Sequence, residues 1–136
     1  MFGVKYVGPV LDMSGYAEAC RNNILSIHKK GIPITIKPQC FERNPPPIAN
    51  KEERDIIEAL IDRKLDYSFL IIHLTPDLYP RFLENNVYTI GYMAWETTKL
   101  HPMWTTCCNS VNEAVANPSS VLKRVIRCFA RSTALY

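Results

Sequence analysis

Short apolar runs alternate along this chain with segments in which apolar residues recur every three or four positions. The runs predict buried β-strands, and the recurring pattern predicts amphipathic α-helices. The predicted strands cover residues 4–7, 32–37, 69–74, 87–93 and 114–116. The predicted helices run from the end of the 8–15 loop to Gly31, from Asn50 to about 65, from Thr75 to about 85, over 102–111, and from Ser119 or Ser120 onward.

This strict alternation of strand and helix predicts a parallel sheet with helices on both of its faces. Because crossovers between parallel strands are right-handed, the sheet should be doubly wound. A length of 136 residues suits one domain. We therefore expect an α/β fold in which residues 1–136 form a single Rossmann-like domain with about five strands.

Glycine, proline and capping residues mark the predicted helix ends. Asn50, with Glu53 three residues later, is typical of a capping box, and Gly31 after two lysines suits a helix C-terminus. Residues 75–77, with the sequence Thr-Pro-Asp, are typical of a helix start. Pro80 would fall at the fifth position of that helix, so we expect its first turn to be distorted.

The composition excludes several function classes. A net charge of +3 is far below that of a dedicated nucleic-acid binder, so no nucleic-acid partner is expected. The apolar run at residues 69–74 is too short to span a bilayer, and residues 1–9 do not resemble a signal peptide. The five cysteines have spacings typical of neither a zinc site nor a CxxC pair, which favours reduced thiols in a cytoplasmic protein.

Ligands of doubly wound sheets collect beyond the carboxyl ends of the strands. The chain offers four segments there: residues 8–15, residues 38–49, His73 and residues 94–97. Neither the GxGxxG dinucleotide fingerprint nor a P-loop follows the first strand. Ser14 and Gly15 can still direct backbone N–H groups of a helix N-terminus toward a phosphate. The alternative is an ordinary turn in which Ser14 caps the helix.

His73, Trp95 and Glu96 carry the most specific candidate chemistry. A histidine at a strand end can act as a general base because its ordinary pKa is close to neutrality. Alternatively, His73 is a hydrogen-bonded histidine with a structural role. Trp95 can stack on a pyranose ring while Glu96 accepts hydrogen bonds from sugar hydroxyls. The alternative is that Trp95 packs against the 102–111 helix and Glu96 caps a helix or forms a salt bridge.

Residues 91–104 read GYMAWETTKLHPMW, and residues 109–119 read NSVNEAVANPS. These runs resemble a pattern in GT-B glycosyltransferases related to family 4, in which WE, a polar stretch, P..W and a helix precede DEVWVPS. The SGYA sequence at residues 14–17, the Gly-Ile pair at 31–32 and the strand ending in His73 are also similar to that family. The resemblance extends over residues 3–120 in the expected order.

The resemblance implies that this domain binds the acceptor sugar, that a second domain binds an NDP-sugar, and that catalysis occurs between them without a metal or cofactor. By position, Ser14 and Gly15 would lie near the donor phosphates. His73 would be the catalytic base or an acceptor contact. Trp95 and Glu96 would line the floor of the cleft.

Two departures from the family pattern qualify these expectations. Residues 112–116 read NEAVA, which is slimmer than the aromatic-rich form of the family. The donor-binding domain is missing from this sequence, so we expect a portion of a glycosyltransferase that is inactive alone. The alternative is a non-catalytic interaction module that associates with itself or with a separate catalytic subunit through exposed apolar surface.

The last residues, 120–136, are amphipathic and basic. They could contact an anionic membrane surface, as basic amphipathic helices do. Alternatively, they form a last helix that packs on the sheet and keeps its basic face in solvent. A receiver-like or nucleotide-binding domain is disfavoured, because Asp12 is the only acid in the first loop and the third strand ends near His73.

Overall fold

A computed structural model describes residues 2–93, 101–116 and 123–127 of the chain. Strands and helices alternate in the predicted order. The strands are β1 (Val4–Gly8), β2 (Ile34–Pro38), β3 (Phe69–His73), β4 (Tyr88–Tyr92) and β5 (Glu113–Val115). The helices are α1 (Gly15–Lys29), α2 (Lys51–Leu60), a 3-10 helix (Pro76–Phe82) and α3 (Pro102–Cys108), and residues 123–127 are also helical.

All five strands are parallel and lie in the order β2-β1-β3-β4-β5. Val4 of β1 lies opposite Ile34 of β2 on one side and Phe69 of β3 on the other. The chain moves outward from β1 to β2 and then returns past β1 to β3. This reversal is the topological switch point, at which open α/β sheets form a crevice beyond the carboxyl ends of their strands. The predicted Rossmann-like fold is confirmed.

Alternating side chains divide the core between the two faces of the sheet. One face, which includes Val4, Tyr6 and Ile71, packs against α1, α2 and the helical residues 123–127. The other face, which includes Leu70, packs against the 3-10 helix and the end of α3. Fully burying an isoleucine or leucine contributes about 1.5–3 kcal/mol, so these contacts hold α1 rigidly where its N-terminus meets the carboxyl edge of the sheet.

Helix α2 begins as predicted, because the Asn50 side chain accepts a hydrogen bond from the Glu53 N–H at 3.1 Å. Its predicted end near residue 65 is wrong, since the helix stops at Leu60. Ile61 is extended and forms an isolated parallel bridge with Ile36 of β2. Pairing with the free edge of β2 therefore competes successfully with another helical turn.

The segment after β3 is also shorter than predicted. It forms a 3-10 helix that ends at Phe82, whereas we expected an α-helix to about residue 85. Pro80 lies inside this helix. A proline has no N–H to donate and its ring clashes with the carbonyl four residues earlier, which disfavours the α-helical pattern.

Residues 123–127 carry the described part of the amphipathic tail. Val125 is fully buried in the core and Ile126 packs beside it, while Lys123 and Arg127 are exposed. This part packs on the sheet with its basic side in solvent, whereas the predicted caps at residues 119 and 120 lie outside the described residues.

No helix in the described part of the chain is long and apolar enough to span a bilayer. Membrane contact through 120–136 stays a prediction.

Candidate functional site

A cleft of about 360 Å³ opens at the carboxyl ends of β1 and β3. We call it the switch-point cleft. Its lining comes from the loop after β1, the start of α1, the loop after β2 and the segment after β3: Pro9, Asp12, Ser14, Tyr16, Phe41, Glu42, Leu74 and Thr75. Residues 8–15 and 38–49, two of the four segments that the sequence predicted at this edge, therefore meet here, and they are joined by the two residues that follow His73.

Asp12 ties the first loop to the loop that follows β2. Its buried carboxylate accepts hydrogen bonds from the backbone N–H groups of Phe41 at 3.0 Å and Glu42 at 3.4 Å. The Glu42 carboxylate in turn accepts one from the Met13 N–H at 2.9 Å. Arg21 of α1 donates to the Asp12 carbonyl at 2.8 Å. These bonds give the cleft a fixed wall although the wall consists of loops.

Ser14 lines the cleft at the start of α1, and Gly15 is the first residue of that helix. Ser14 Oγ accepts a hydrogen bond from the Ala17 N–H at 3.2 Å, so Ser14 caps α1. Both residues are exposed, and a Cβ added to Gly15 would meet no atom within 4 Å. The helix N-terminus therefore has open space beside it. Contact with a phosphate there stays a prediction.

His73 lies at the end of β3 and is fully buried. Its Nδ1 is 2.7 Å from Tyr6 Oη, and Tyr6 Oη accepts a hydrogen bond from Asn23 Nδ2 at 3.0 Å. Burial lowers the pKa of His73 to about 3, so the imidazole is neutral at neutral pH. This arrangement fits the hydrogen-bonded alternative, and the catalytic role stays a prediction.

The proton of the neutral imidazole can be assigned from its partners. Asn23 Nδ2 is a donor, so among the hydrogen bonds of Tyr6 Oη only the one to His73 Nδ1 can use the hydroxyl proton, and we assign Nδ1 as the acceptor on that ground. The imidazole proton is then on Nε2, a buried atom without a hydrogen-bond partner. A buried donor left unpaired costs about 1–3 kcal/mol. An acceptor atom brought to Nε2 would recover much of that cost.

Two tyrosine rings cover His73. The ring centroid of Tyr16 lies 4.7 Å from that of His73, and the centroid of Tyr92 lies 4.1 Å away, both in edge-on arrangements. Tyr16 Oη donates to the Tyr92 carbonyl at 3.4 Å, which is a long hydrogen bond. Tyr16 is half-buried and lines the switch-point cleft, whereas His73 does not. The Tyr16 ring thus separates His73 from the cleft.

Tyr79 of the 3-10 helix supplies a second unpaired polar atom. Its ring packs so closely on Gly91 of β4 that a Cβ at Gly91 would overlap it. Its hydroxyl is buried without a partner. Burial, together with the nearby Tyr16 and Cys108, raises the pKa of Tyr79 well above its ordinary value. Both buried polar side-chain atoms that lack a partner in the described structure therefore neighbour Tyr16.

The charge of the cleft is one-sided. Asp12 and Glu42 are acidic, and none of the lining residues named above is lysine or arginine. A ligand with several negative charges would be repelled by these two carboxylates, and Arg21, which donates to the Asp12 carbonyl, offsets only part of that repulsion. Hydroxyl groups can instead donate to carboxylates and accept from Ser14, Thr75 or an uncovered His73. The electrostatics favour a neutral, hydroxyl-rich ligand.

The sequence predicted part of this site. It located Ser14, Gly15 and His73 at one edge. Ser14 lines the switch-point cleft, Gly15 follows it at the start of α1, and His73 ends β3 against the Tyr16 ring without lining the cleft. Trp95 and Glu96 lie outside the described residues. Sequence reasoning missed Tyr16 and Tyr92 as the cover of His73. The available signal was that both His73 and Tyr92 lie near the ends of consecutive predicted strands, which the structure pairs as register partners.

A second cavity of about 650 Å³ lies where residues 62–67 cross β1 and β2. Lys5, on the strand β1, donates to Glu84 at 2.8 Å, and Tyr67 also hydrogen-bonds Glu84. The Thr35 hydroxyl donates to the Arg63 carbonyl at 2.7 Å.

The described residues contain no group of three or more histidine, cysteine or acidic side chains arranged to hold a metal ion.

Comparison of the chain with protein-family models, with curated proteins and with solved structures gave no match. Functional inference therefore rests on the residues and their geometry.

Proposed function

We propose that this domain is the acceptor-binding, N-terminal portion of a glycosyltransferase and that it holds a sugar in the switch-point cleft. The observation that carries the proposal is the cleft itself, which combines an acidic, hydroxyl-lined wall with the aromatic side chains of Tyr16 and Phe41. Aromatic rings pack on the apolar faces of sugar rings, while carboxylates and hydroxyls select the positions of sugar hydroxyls. The resemblance at residues 91–119 supports the same class of ligand.

The cleft supplies one wall of a reaction site. Transfer of a glycosyl group requires the donor and the acceptor to be held together in a site from which water is excluded. The acidic lining of the switch-point cleft suits the neutral acceptor better than the NDP-sugar, whose phosphates need a cationic or N–H-rich partner surface. The donor would bind to a partner surface facing this cleft, and this domain alone would not transfer sugar.

The test is a binding and turnover experiment with the domain as it stands. Saturation-transfer NMR with glucose, mannose, galactose and N-acetylglucosamine should detect at least one bound sugar, and incubation with UDP- and GDP-sugars should release no NDP. Thr75→Val should weaken sugar binding, whereas Thr106→Val on the exposed side of α3 should not. Turnover by this domain alone, or no binding of any sugar, would contradict the proposal.

A second candidate is an interaction module, and the rim of the cleft favours it. Met13 and Phe41 are 58% and 64% exposed, and the bonds made by Asp12 and Glu42 hold them on neighbouring loops. Exposed apolar side chains that are held rigidly side by side are typical of association surfaces. Sedimentation velocity over a range of concentrations tests this. Phe41→Ser should abolish any dimer, while Met103→Ser, at an exposed site on α3, should not.

A further inference from the structure

The larger cavity, of about 650 Å³, lies on a part of the sheet where polar side chains replace apolar ones. On the face of β3 that packs against the 3-10 helix, Leu70 and Ile72 are buried. Lys5 of β1 is the register partner of Leu70 and of Thr35, so these three side chains share that face. Lys37 follows Thr35 on the same face, and both line the cavity together with Lys5. The cavity therefore has a polar floor, and its volume is typical of small-molecule sites, which measure roughly 300–1,000 Å³.

The wall of this cavity, residues 62–67, is anchored near both of its ends. Near the start, the buried Thr35 hydroxyl donates to the Arg63 carbonyl at 2.7 Å. Near the end, the wall packs so closely on Gly3 that a Cβ there would overlap the Asp66 carbonyl oxygen. Because both anchors join the wall to the segments that form the floor, the space between them is a fixed feature of the folded domain.

Cationic side chains outnumber acidic ones around this cavity. The cations are Lys5, Lys37, Arg63 and Lys64, and the acids are Asp62 and Asp66. Lys5 is neutralised by its ion pair with Glu84 at 2.8 Å. Within the described part of the chain, Lys37, Arg63 and Lys64 form no ion pair. Three cations around one cavity are therefore available to an anion.

We propose that the larger cavity binds the phosphate group of a small ligand through Lys37, Arg63 and Lys64. A guanidinium group matches two phosphate oxygens at once, and the lysine ammonium groups add compact positive charges. Asp62 and Asp66 line the same cavity and accept hydrogen bonds from hydroxyl groups. The favoured ligand is therefore a phosphate monoester that also carries hydroxyl groups, a chemistry shared by soluble metabolites and by lipid headgroups.

Charge separates the ligands of the two cavities, which have no lining residue in common. The switch-point cleft is lined by Asp12 and Glu42 and suits a neutral ligand, whereas the larger cavity supplies the cations that a phosphate needs. The phosphate site does not depend on the proposed sugar-binding function. Salt should weaken phosphate binding, because mobile ions screen exposed charges, and should have little effect on a neutral sugar.

Titration of the wild-type domain with glycerol phosphate, followed through the backbone amide signals by NMR, tests the site. We expect saturable shifts at residues 35–37 and 62–67, and weaker binding at high salt because the three cations are exposed. Glycerol, which lacks the phosphate, should shift neither segment. Arg63→Gln should weaken binding about tenfold, as the loss of a charge-assisted hydrogen bond implies. Lys51→Gln removes an exposed charge from α2, on the other face of the sheet, and should leave binding unchanged.

Sedimentation with phosphatidylcholine vesicles, with and without phosphatidic acid, distinguishes the two sources of the phosphate. Amide shifts with glycerol phosphate but no sedimentation would assign the site to a soluble ligand. Sedimentation that requires phosphatidic acid and is reduced by Arg63→Gln would assign it to a lipid headgroup. Neither shifts nor sedimentation would overturn the proposal, and so would equal binding by the wild type and Arg63→Gln. Sugar binding is measured separately at the amides of Ser14 and Thr75, so either proposal can fail alone.

Discussion

Two cavities of this domain differ in the hydrogen bonding of the polar atoms beside them, and their volumes do not reveal this difference. The larger one, of about 650 Å³, is lined where residues 62–67 cross β1 and β2, and most of the side chains on that segment are exposed. The switch-point cleft has about 360 Å³. Around the larger cavity Lys5, Glu84 and Tyr67 bond one another. Next to the smaller cleft, two buried polar atoms have no partner.

This difference indicates where a neutral ligand would gain most. Exposed charges around the larger cavity are already hydrated, and an ion pair at such a surface contributes little. A ligand that reached the unpaired imidazole of His73 would recover a hydrogen bond inside a site from which water is excluded. Binding of a neutral sugar is therefore expected at the smaller cleft.

Acidification should produce the largest effect on stability, and it originates at the buried His73, which lies against the cleft residue Tyr16. The folded-state pKa of His73 is about 3, whereas the unfolded chain has the ordinary value of about 6.5. The unfolded state binds the extra proton between those values, so stability is fully present above about pH 6.5 and is lost as the pH falls. Denaturant unfolding should show a loss of about 2–3 kcal/mol from pH 7.5 to pH 4.5.

Two variants assign that pH dependence. His73→Gln should flatten the slope between about pH 6.5 and pH 4.5, while His28→Gln, at an exposed residue of α1, should keep it. A wild-type domain whose stability does not change over this range would contradict the buried, neutral His73. Without a buried, neutral His73, the switch-point cleft would no longer differ from the larger cavity in having an unpaired imidazole beside it.

Glycine substitution should distinguish the packed floor of the cleft from its open mouth. A Cβ at Gly8 would lie 2.8 Å from Cys20 Sγ and 3.3 Å from His73 Cβ, so Gly8→Ala should cost about 1–3 kcal/mol. Gly15→Ala is the matched control, because it has open space and should be neutral or slightly stabilising. Thermal unfolding measures both. Adding Cys20→Ala to Gly8→Ala should restore part of the loss, and equal effects of the two single variants would argue against this geometry.

Loss of Asp12 should loosen the wall of the cleft. Asp12→Ala leaves the N–H groups of Phe41 and Glu42 without their acceptor and should cost about 1–2 kcal/mol. The exposed Asp66, beside the larger cavity, gives the control Asp66→Ala, which should have little effect. Hydrogen exchange should show the change at residues 40–43. Unchanged protection there would mean that the loops are held by other contacts.

Disruption of the charged network at the larger cavity should matter least. Burial opposes ionisation of Glu84, but the hydrogen bonds from Lys5 and Tyr67 and the charge of Lys5 hold its pKa below the ordinary value. Because Lys5 and Glu84 are both part-exposed, Glu84→Gln should cost only about 0.2–1 kcal/mol and less at high salt. Urea unfolding at two salt concentrations measures it. If Glu84→Gln lowered the free energy of unfolding more than Asp12→Ala does, the contacts at the larger cavity would contribute more to stability than those at the switch-point cleft, which would contradict this comparison.

The fold could be predicted from the sequence because the spacing of apolar residues along the chain indicates which side chains are buried. The run at Phe69–His73 is buried on both faces of a central strand, and Asn50 caps α2 through a local side-chain bond. The end of α2 could not be predicted, because Ile61 satisfies both a helical pattern and an edge pairing with Ile36. A local sequence pattern does not show whether a contact within the helix or a pairing with a distant strand is the more stable.

The candidate site was harder to predict for the same reason. Ser14, Gly15 and His73 follow from the rule that ligands gather at the carboxyl edge. The cover made by Tyr16 and Tyr92 depends on strand order and register, which place residues from distant parts of the sequence beside His73. Trp95 and Glu96 stay predictions of the sequence.

Amide shift mapping by NMR with a panel of monosaccharides tests the central claim most directly. We predict that a binding sugar shifts the amides of Ser14, Gly15 and Thr75, at the switch-point cleft, and leaves those of residues 62–67 unchanged. Shifts confined to residues 62–67, or no shift with any sugar, would contradict the account.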